Sequence, residues 1–279
     1  MNLPWNYRIF STSLRMSILQ PARSISAGWF IGLHVMGPVF FLLTSWTISQ
    51  MVPNVQSFVT ATGINDYLSF AIIGFAFQGI VLNAAWTGAN AIRFEQEMGT
   101  AELIFLTPAN KVLWILGKMA GGQLFSLLST AVILVFGSLT FGLHPKNTPD
   151  VPTAILGVLG TIAGMSAFGF VMAGMTFALK RAEDVNQVLW PIMIFFCGLA
   201  FPIEALPQPV QLISWIFPIT PGLDITRKAI LLGSGLSSPI IANRFLILLL
   251  QIAVMLPIGL IAFSRFVRNA QRTGTLATY

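Results

Sequence analysis

Residues 67–92 read YLSFAIIGFAFQGIVLNAAWTGANAI and contain no aspartate, glutamate, lysine or arginine. A helix needs about 20 mainly apolar residues to cross the roughly 30 Å hydrocarbon core of a bilayer, because each residue adds about 1.5 Å. This stretch is therefore long enough to span a membrane. Five other stretches are equally free of charge: residues 24–65, 119–145, 151–179, 185–203 and 245–264.

The overall composition gives the same class of protein. Of 279 residues, 55% are hydrophobic and only 9% are charged, whereas about 25% of the residues in a typical soluble domain are charged. The mean hydropathy of +0.80 agrees. This composition excludes a soluble enzyme and a disordered chain, and the single cysteine, Cys197, excludes an intrachain disulfide framework.

Helices are the expected secondary structure, because a helix satisfies its own backbone hydrogen bonds within lipid. We predict an all-α membrane protein with six transmembrane helices and both termini in the cytoplasm. The predicted spans are residues 27–48, 67–92, 112–141, 153–179, 185–202 and 244–264, within a single transmembrane domain that covers residues 1–279.

The distribution of basic residues supports this orientation, since cytoplasmic loops of membrane proteins are enriched in lysine and arginine. The sequence pI near 10.0 then reflects attraction to anionic lipid headgroups, so the expected partner is membrane lipid and not nucleic acid. Of the 15 basic residues, 11 lie on the cytoplasmic side: Arg8, Arg15, Arg23, Arg93, Lys111, Lys118, Lys180, Arg181, Arg265, Arg268 and Arg272.

Residues 205–223 are also free enough of charge to form a seventh span, and the count of basic residues is the same with or without it. Prolines interrupt this region, and a lone spanning helix interrupted in this way would leave carbonyl groups unsatisfied in lipid. We therefore predict a re-entrant helical hairpin over residues 203–222 on the outer side. Its marker residues are Pro202, Leu206, Pro207, Pro218 and Pro221.

The connector between the second and third spans differs from the rest of the chain, since residues 95–108 hold three of the nine acidic residues. Gly99 is a candidate left-handed stop for one helix, Thr100 a candidate N-cap for the next, and Pro108 suits the first turn of the third span. These signals indicate a short helix along the cytoplasmic face. An ordinary solvated loop is the alternative.

Two parts of the chain resemble the ABC-2 type transporter permeases. Residues 97–103 (EMGTAEL), followed by 106–108 (LTP), are similar to the first cytoplasmic loop of that family. Residues 201–207 (FPIEALP) and 216–221 (IFPITP) are similar to its proline-bracketed outer hairpin. The resemblance implies six spans, an amphipathic interfacial helix within residues 1–24, and a coupling helix that contacts a separate ATP-binding subunit.

The same resemblance assigns roles to individual residues. The second cytoplasmic loop supplies a subsidiary contact from Lys180, Arg181, Glu183 and Asp184, for which a solvated loop is the alternative. The coupling-helix contacts with the ATPase are Glu95, Glu97, Gly99, Thr100, Glu102, Leu103, Leu106 and Pro108.

Motifs for catalysis are missing from the sequence. It contains no G-x-x-x-x-G-K-[ST] phosphate-binding loop and no H-E-x-x-H metal motif. We therefore expect no catalytic site, cofactor or metal in this chain, and assign ATP and Mg²⁺ to the partner ATPase.

The predicted function is that of a permease subunit in the plasma (inner) membrane of a prokaryote. It would pair with a second copy or a close paralogue and with two ATPase subunits, to export a drug, antibiotic, lipid or lipid-linked glycan. The alternative is an ion-coupled carrier or channel, for which His34 is the one ionisable candidate within the spans. Polar residues in the spans are uncharged: Thr44, Ser45, Gln78, Asn83, Asn90, Gln123, Ser126 and Ser129.

Small residues in the fourth span predict close helix packing inside one subunit, because small side chains let helices approach in lipid. These residues are Gly157, Gly160, Gly164, Gly169 and Gly174.

Overall fold

The computed structural model describes residues 5–24, 28, 36–51, 56–64, 66–177 and 182–274, and all regular secondary structure in these residues is helical. The predicted all-α fold class is confirmed. The helices are α1 (Trp5–Ser24), α2 (Gly37–Met51), α3 (Gln56–Thr62), α4 (Tyr67–Glu97), α5 (Ala101–Leu106), α6 (Lys111–Thr140), α7 (Val151–Met175), α8 (Ala182–Phe196), α9 (Gln208–Ser214), α10 (Ile219–Leu232) and α11 (Pro239–Thr273), with a 3₁₀ turn at Ile203–Ala205.

Four of the described helices are long and apolar enough to cross a membrane: α4, α6, α7 and α11, with 31, 30, 25 and 35 residues. Helix α8 is a shorter apolar helix, and α2 covers the second half of the predicted span 27–48, whose residues 27 and 29–35 lie outside the described residues. The number of six spans therefore stays a prediction. Helix α11 extends beyond both limits of the predicted span 244–264, by the uncharged residues 239–243 at its start and by residues 265–273, which include three arginines, at its end.

Short polar side chains cap the starts of three of the four long helices, α4, α6 and α7. The Asp66 carboxylate accepts hydrogen bonds from the backbone N–H groups of Leu68 and Ser69 at the start of α4, both at 3.0 Å. Asn110 accepts from the second and third residues of α6, and Asp150 caps α7 in the same way. These side chains satisfy N–H groups that have no partner within the helix.

The bundle has two distinct ends, which we name after the short helices that lie there. At the α5 end, the hydroxyl of Ser17 in α1 donates to the Lys118 carbonyl at 2.9 Å, and Gln271 Nε2 of α11 donates to the Phe105 carbonyl at 3.1 Å. At the α10 end, the N–H of Asp150 donates to the carbonyl of Ala229 at 2.9 Å. Helices α1 and α5 and the last turns of α11 therefore lie together, opposite the end of α10.

The glycines of α7 pack against other helices of the same chain, which confirms that prediction. A Cβ added to Gly169 would lie 2.4 Å from the Ala84 carbonyl oxygen of α4, and one added to Gly160 would lie 2.6 Å from Leu248 of α11. Gly174 likewise meets α11, through Phe266 and Phe263. Close backbone approach compensates for the weak hydrophobic driving force between helices in lipid.

Residues 205–223, which the charge distribution left open as a seventh span, do not form one helix. The 3₁₀ turn and α9 are followed by a break at residues 215–218, after which α10 begins. Pro207 and Pro218 stand at the N-cap positions of α9 and α10. Proline has no N–H to donate to a preceding turn, so it divides this segment into short helices.

Helix α10 runs antiparallel to the first half of α7. A Cβ on Gly164, in the middle of α7, would lie 2.4 Å from Pro218, whereas Ala229 lies at the start of α7. The chain thus rises from the middle of the bundle to the α10 end. Helix α10 continues past residue 222, the limit of the predicted hairpin 203–222, to Leu232 and stops at Gly233, whose φ of 65° is left-handed. The re-entrant placement of this segment stays a prediction.

Candidate functional site at the α5 end

The connector between α4 and α6 folds as a tight turn followed by a six-residue helix. Gly99 has a φ of 68°, and the N–H of Thr100 donates to the Glu95 carbonyl at 2.9 Å, which closes the end of α4. Such a conformation suits glycine because other residues would place Cβ too close to the backbone. Helix α5 follows this turn and covers Ala101–Leu106.

Two local expectations for this connector differ from the structure. Thr100 occupies the N-cap position of α5, but its hydroxyl makes no capping bond and donates to the Glu95 carboxylate instead. Pro108 lies before α6, which begins at Lys111 with Asn110 as its cap. The Asn110 amide is the better cap, because its oxygen accepts from two N–H groups at once.

Glu95 was predicted to face the partner, and the structure places it inside the chain. Its residue is 9% exposed, and its carboxylate lies 3.2 Å from the ammonium of Lys118, which is 4% exposed. A buried carboxylate requires such a cation, because an unpaired charge would lose its hydration without compensation. This ion pair ties the end of α4 to the second turn of α6.

Lys118 is a functional candidate that sequence reasoning assigned only to the cytoplasmic charge count. The sequence did contain a signal for this role, because Lys118 lies seven residues into the apolar helix α6. A lysine at such a position requires an acidic partner. The side chain is held from several sides, with Nζ also 5.9 Å from the ring centroid of Trp114.

Phe105 anchors α5 on the bundle. Its ring is 1% exposed and makes edge-on contacts with Trp114 of α6 at 5.8 Å and with Phe177, just after α7, at 5.2 Å between ring centroids. The bond from Gln271 to its carbonyl adds a contact with α11. One residue of α5 therefore contacts the ends of three long helices.

The opposite side of the connector is exposed and mixes apolar with acidic groups. Leu103 and Leu106 are 68% and 76% exposed, and Met98 is exposed beside them in the chain. Glu97 is exposed and pairs with Arg93 at 3.0 Å, within one turn of α4. We call the exposed residues Glu97, Met98, Glu102, Leu103 and Leu106 the α5 outer face.

The remaining predicted contact residues are distributed differently. Lys180 and Arg181 lie outside the described residues, and Glu183 and Asp184 lie in the first turn of α8, where Asp184 is exposed. The predicted hairpin residues lie on the segment that runs from the N-cap of the 3₁₀ turn to the first turn of α10, and Pro218 contacts the middle of α7. Pro202, Pro218 and Pro221 are buried there, Leu206 is half-buried and Pro207 is exposed.

Arg227 of α10 is a second residue that sequence reasoning missed, since it was counted among loop cations outside the membrane. It is 4% exposed, and its guanidinium donates to the carbonyls of Gly198 at 2.6 Å, Leu199 at 2.8 Å and Phe70 at 3.1 Å. The guanidinium carbon also lies 3.4 Å from the ring centroid of Phe70. Arg227 thus joins α10 to the end of α8 and the start of α4.

Arg244 and Lys228 complete this arrangement at the α10 end. Both pair with the carboxylate of Asp224, at 3.1 Å and 2.9 Å, and the Arg244 guanidinium lies 4.0 Å from the Trp215 ring centroid. Because Asp224 belongs to α10 and Arg244 to α11, their ion pair fastens α10 to the last long helix, whereas the Lys228–Asp224 pair lies within α10.

A bundle of apolar helices, four of them long enough to cross a bilayer, is the architecture of a membrane protein. The chain matches the family model described as ABC-2 family transporter protein over residues 19–261, and so belongs to that family. No curated protein matches the chain at a significant level. Such permeases are non-catalytic transport subunits, and membership implies association with an ABC ATPase.

Proposed function

We propose that this chain is the permease subunit of an exporter in the inner membrane of a prokaryote, and that it works as a pair of permease chains above two ATPase subunits. ATP and Mg²⁺ belong to the ATPase subunits in this proposal. The pair is formed by two copies or by this chain and a close paralogue. The cargo is a hydrophobic or amphipathic compound: a drug, an antibiotic, a lipid or a lipid-linked glycan.

The α5 outer face carries this proposal. Leu103 and Leu106 are more than two-thirds exposed, and a partner that covers them would remove their apolar surface from water. The carboxylates of Glu97 and Glu102 lie beside them and can pair with basic groups at the edge of the same contact. The inner side of the same connector is held by Phe105 and by the Glu95–Lys118 ion pair. Nucleotide binding in the ATPase can drive transport only through contacts that differ between the inward- and outward-facing forms of the permease. The connector that makes these contacts must be stiff, because a flexible one would absorb the movement.

The topology proposed with this function has six spans and both termini in the cytoplasm, with the α5 end facing the ATPase. The α10 hairpin then enters and leaves on the outer side. Residues 180–184 make a second cytoplasmic contact, to which Asp184 contributes an exposed carboxylate.

The polar residues of the spans support an uncharged path, although several of them are occupied by helix packing. The hydroxyl of Ser126 donates to the Gly79 carbonyl at 3.1 Å, and Gln123 Nε2 donates to the Ile80 carbonyl at 3.3 Å. These two side chains of α6 join it to α4 and are not free to line a path for cargo. Gln78 is buried, and within the described part of the chain neither of its amide atoms has a hydrogen-bond partner.

The experiment is co-purification of the chain with its ATPase after reversing one charge on the α5 outer face. Glu102→Lys should lower the recovered ATPase at least tenfold, because one carboxylate contact is replaced by a repulsive one. The matched control is Glu204→Lys, the same reversal at an exposed position of the α10 end. Equal recovery for Glu102→Lys and wild type would contradict the proposal, as would solute flux by the purified chain under an ion gradient without any ATPase.

A further inference from the structure

A groove with a basic rim lies at the α5 end between the first turn of α6 and the last turns of α11. One hollow of about 260 Å³ lies between Lys111 and Val112 on one side and Phe263 and Gln271 on the other. A second hollow of about 340 Å³ continues along α11 past Arg265 and Arg268. The second hollow is lined by residues of α11, and Ser264 lines both hollows, so they adjoin at this residue; we call the two together the groove.

The polarity of the groove changes along its length. Toward the middle of the bundle it is lined by apolar groups, including Leu260, Ile261 and Phe263, which belong to the predicted span. Beyond Ser264 the second hollow is lined by Arg265 and Arg268 of α11, and the first hollow is lined by Lys111 of α6. None of the described residues that line either hollow is acidic.

We propose that this groove binds the headgroup of an acidic phospholipid. A phospholipid has the same two-part chemistry, with an anionic phosphate at the membrane surface and acyl chains directly below it. Lysine and arginine side chains near a membrane surface attract anionic lipid. The N-terminus of α6, a 30-residue helix that begins at Lys111, adds positive partial charge at the same place.

The groove also adjoins the anchor of α5. Gln271 lines the first hollow, and its amide nitrogen is the group that donates to the Phe105 carbonyl at 3.1 Å. A lipid phosphate beside Gln271 would therefore lie next to the bond that joins α11 to α5. This inference concerns the lipid contact alone and does not depend on the proposed export function or on the ATPase.

The test is native mass spectrometry of the purified chain in detergent, titrated with phosphatidylglycerol or phosphatidylcholine. Wild-type protein should retain phosphatidylglycerol in preference, with one tightly bound molecule per chain. The double variant Arg265→Ala, Arg268→Ala should bind it roughly tenfold more weakly, because two attractive charges are removed. Ser264→Trp, which fills the junction of the two hollows without changing any charge, should reduce retention to a similar degree.

The matched control is Arg8→Ala with Arg15→Ala, two exposed cations of α1 at the same end of the bundle. These changes remove the same charge away from the groove and should leave the tightly bound lipid in place. The proposal is overturned if wild type retains both lipids equally, if the control loses as much lipid as the groove variant, or if Ser264→Trp binds phosphatidylglycerol as wild type does.

Discussion

At the scale of single residues, the two buried cations have different kinds of partner. Lys118 faces a carboxylate, whereas Arg227 is surrounded by three backbone carbonyls. The planar fork of a guanidinium can donate to several carbonyls in fixed directions, and an ammonium cannot reproduce that geometry. Substitutions at Arg227 and at Lys118 are therefore expected to lower the free energy of unfolding for different reasons.

Arg227→Lys should lower the free energy of unfolding by about 2–4 kcal/mol, because at least one buried carbonyl loses its charged donor and the aromatic contact with Phe70 is weakened. Thermal unfolding in detergent, followed by tryptophan fluorescence, measures the change. Arg244→Lys is the control, since it is more exposed and an ammonium can still pair with Asp224. Equal melting temperatures for Arg227→Lys and wild type would show that the carbonyl contacts contribute nothing.

Lys118→Met should destabilise the chain by about 3 kcal/mol, because the Glu95 carboxylate remains buried without its cation. Adding Glu95→Gln should recover most of that loss, since the amide is neutral and can still accept from Thr100. The comparison of both single variants with the double variant in the same unfolding assay gives the coupling energy. A double variant no more stable than Lys118→Met would refute the ion pair as the cause.

At the scale of elements, glycine decides how closely α4 and α7 approach each other. A Cβ on Gly88 of α4 would lie 2.3 Å from the Gly169 carbonyl oxygen, whereas a Cβ on Gly79 of the same helix meets nothing closer than 3.9 Å. Two alanine substitutions in one helix therefore separate helix propensity from packing.

Gly88→Ala should destabilise the chain by about 2 kcal/mol or more, because the helices must move apart. Gly79→Ala should be neutral or stabilising by up to about 1 kcal/mol, since alanine is the better helix former. Thermal unfolding of the two variants side by side is the measurement. Similar melting temperatures for both would mean that α4 and α7 do not pack as closely as described.

At the scale of the whole molecule, the α5 and α10 ends lie on opposite sides of the bundle. In a Cys197→Ser background, Ser237→Cys should react with a membrane-impermeant maleimide in intact cells, and Thr107→Cys only after the cells are opened. Both native residues are exposed, so access depends on the side of the membrane. Labelling of Thr107→Cys in intact cells would reverse the proposed orientation.

The sequence was sufficient for the class of protein and for the helices that depend on local pattern. The charge-free run at 67–92 corresponds to α4. Gly99 adopts the left-handed conformation that was predicted to stop this helix. Charge counting assigned Lys118 to the cytoplasmic side of the membrane and Arg227 to the outer side, with no buried partner for either. Their burial depends on partners far away in the chain, such as Phe70, which is 157 residues from Arg227. Such pairings follow from tertiary packing and have no local signal.

Helix α7 contacts both ends of the molecule. Its first half supports α10 through Gly157 and Gly164, and Phe177, two residues after its last turn, packs on Phe105 of α5. An α-helix transmits displacement along its axis with little compression, because every turn is hydrogen-bonded to the next. A tilt of α7 at the α5 end must therefore be accompanied by a displacement at the α10 end, so that α5 and α10 move as opposite arms of one lever.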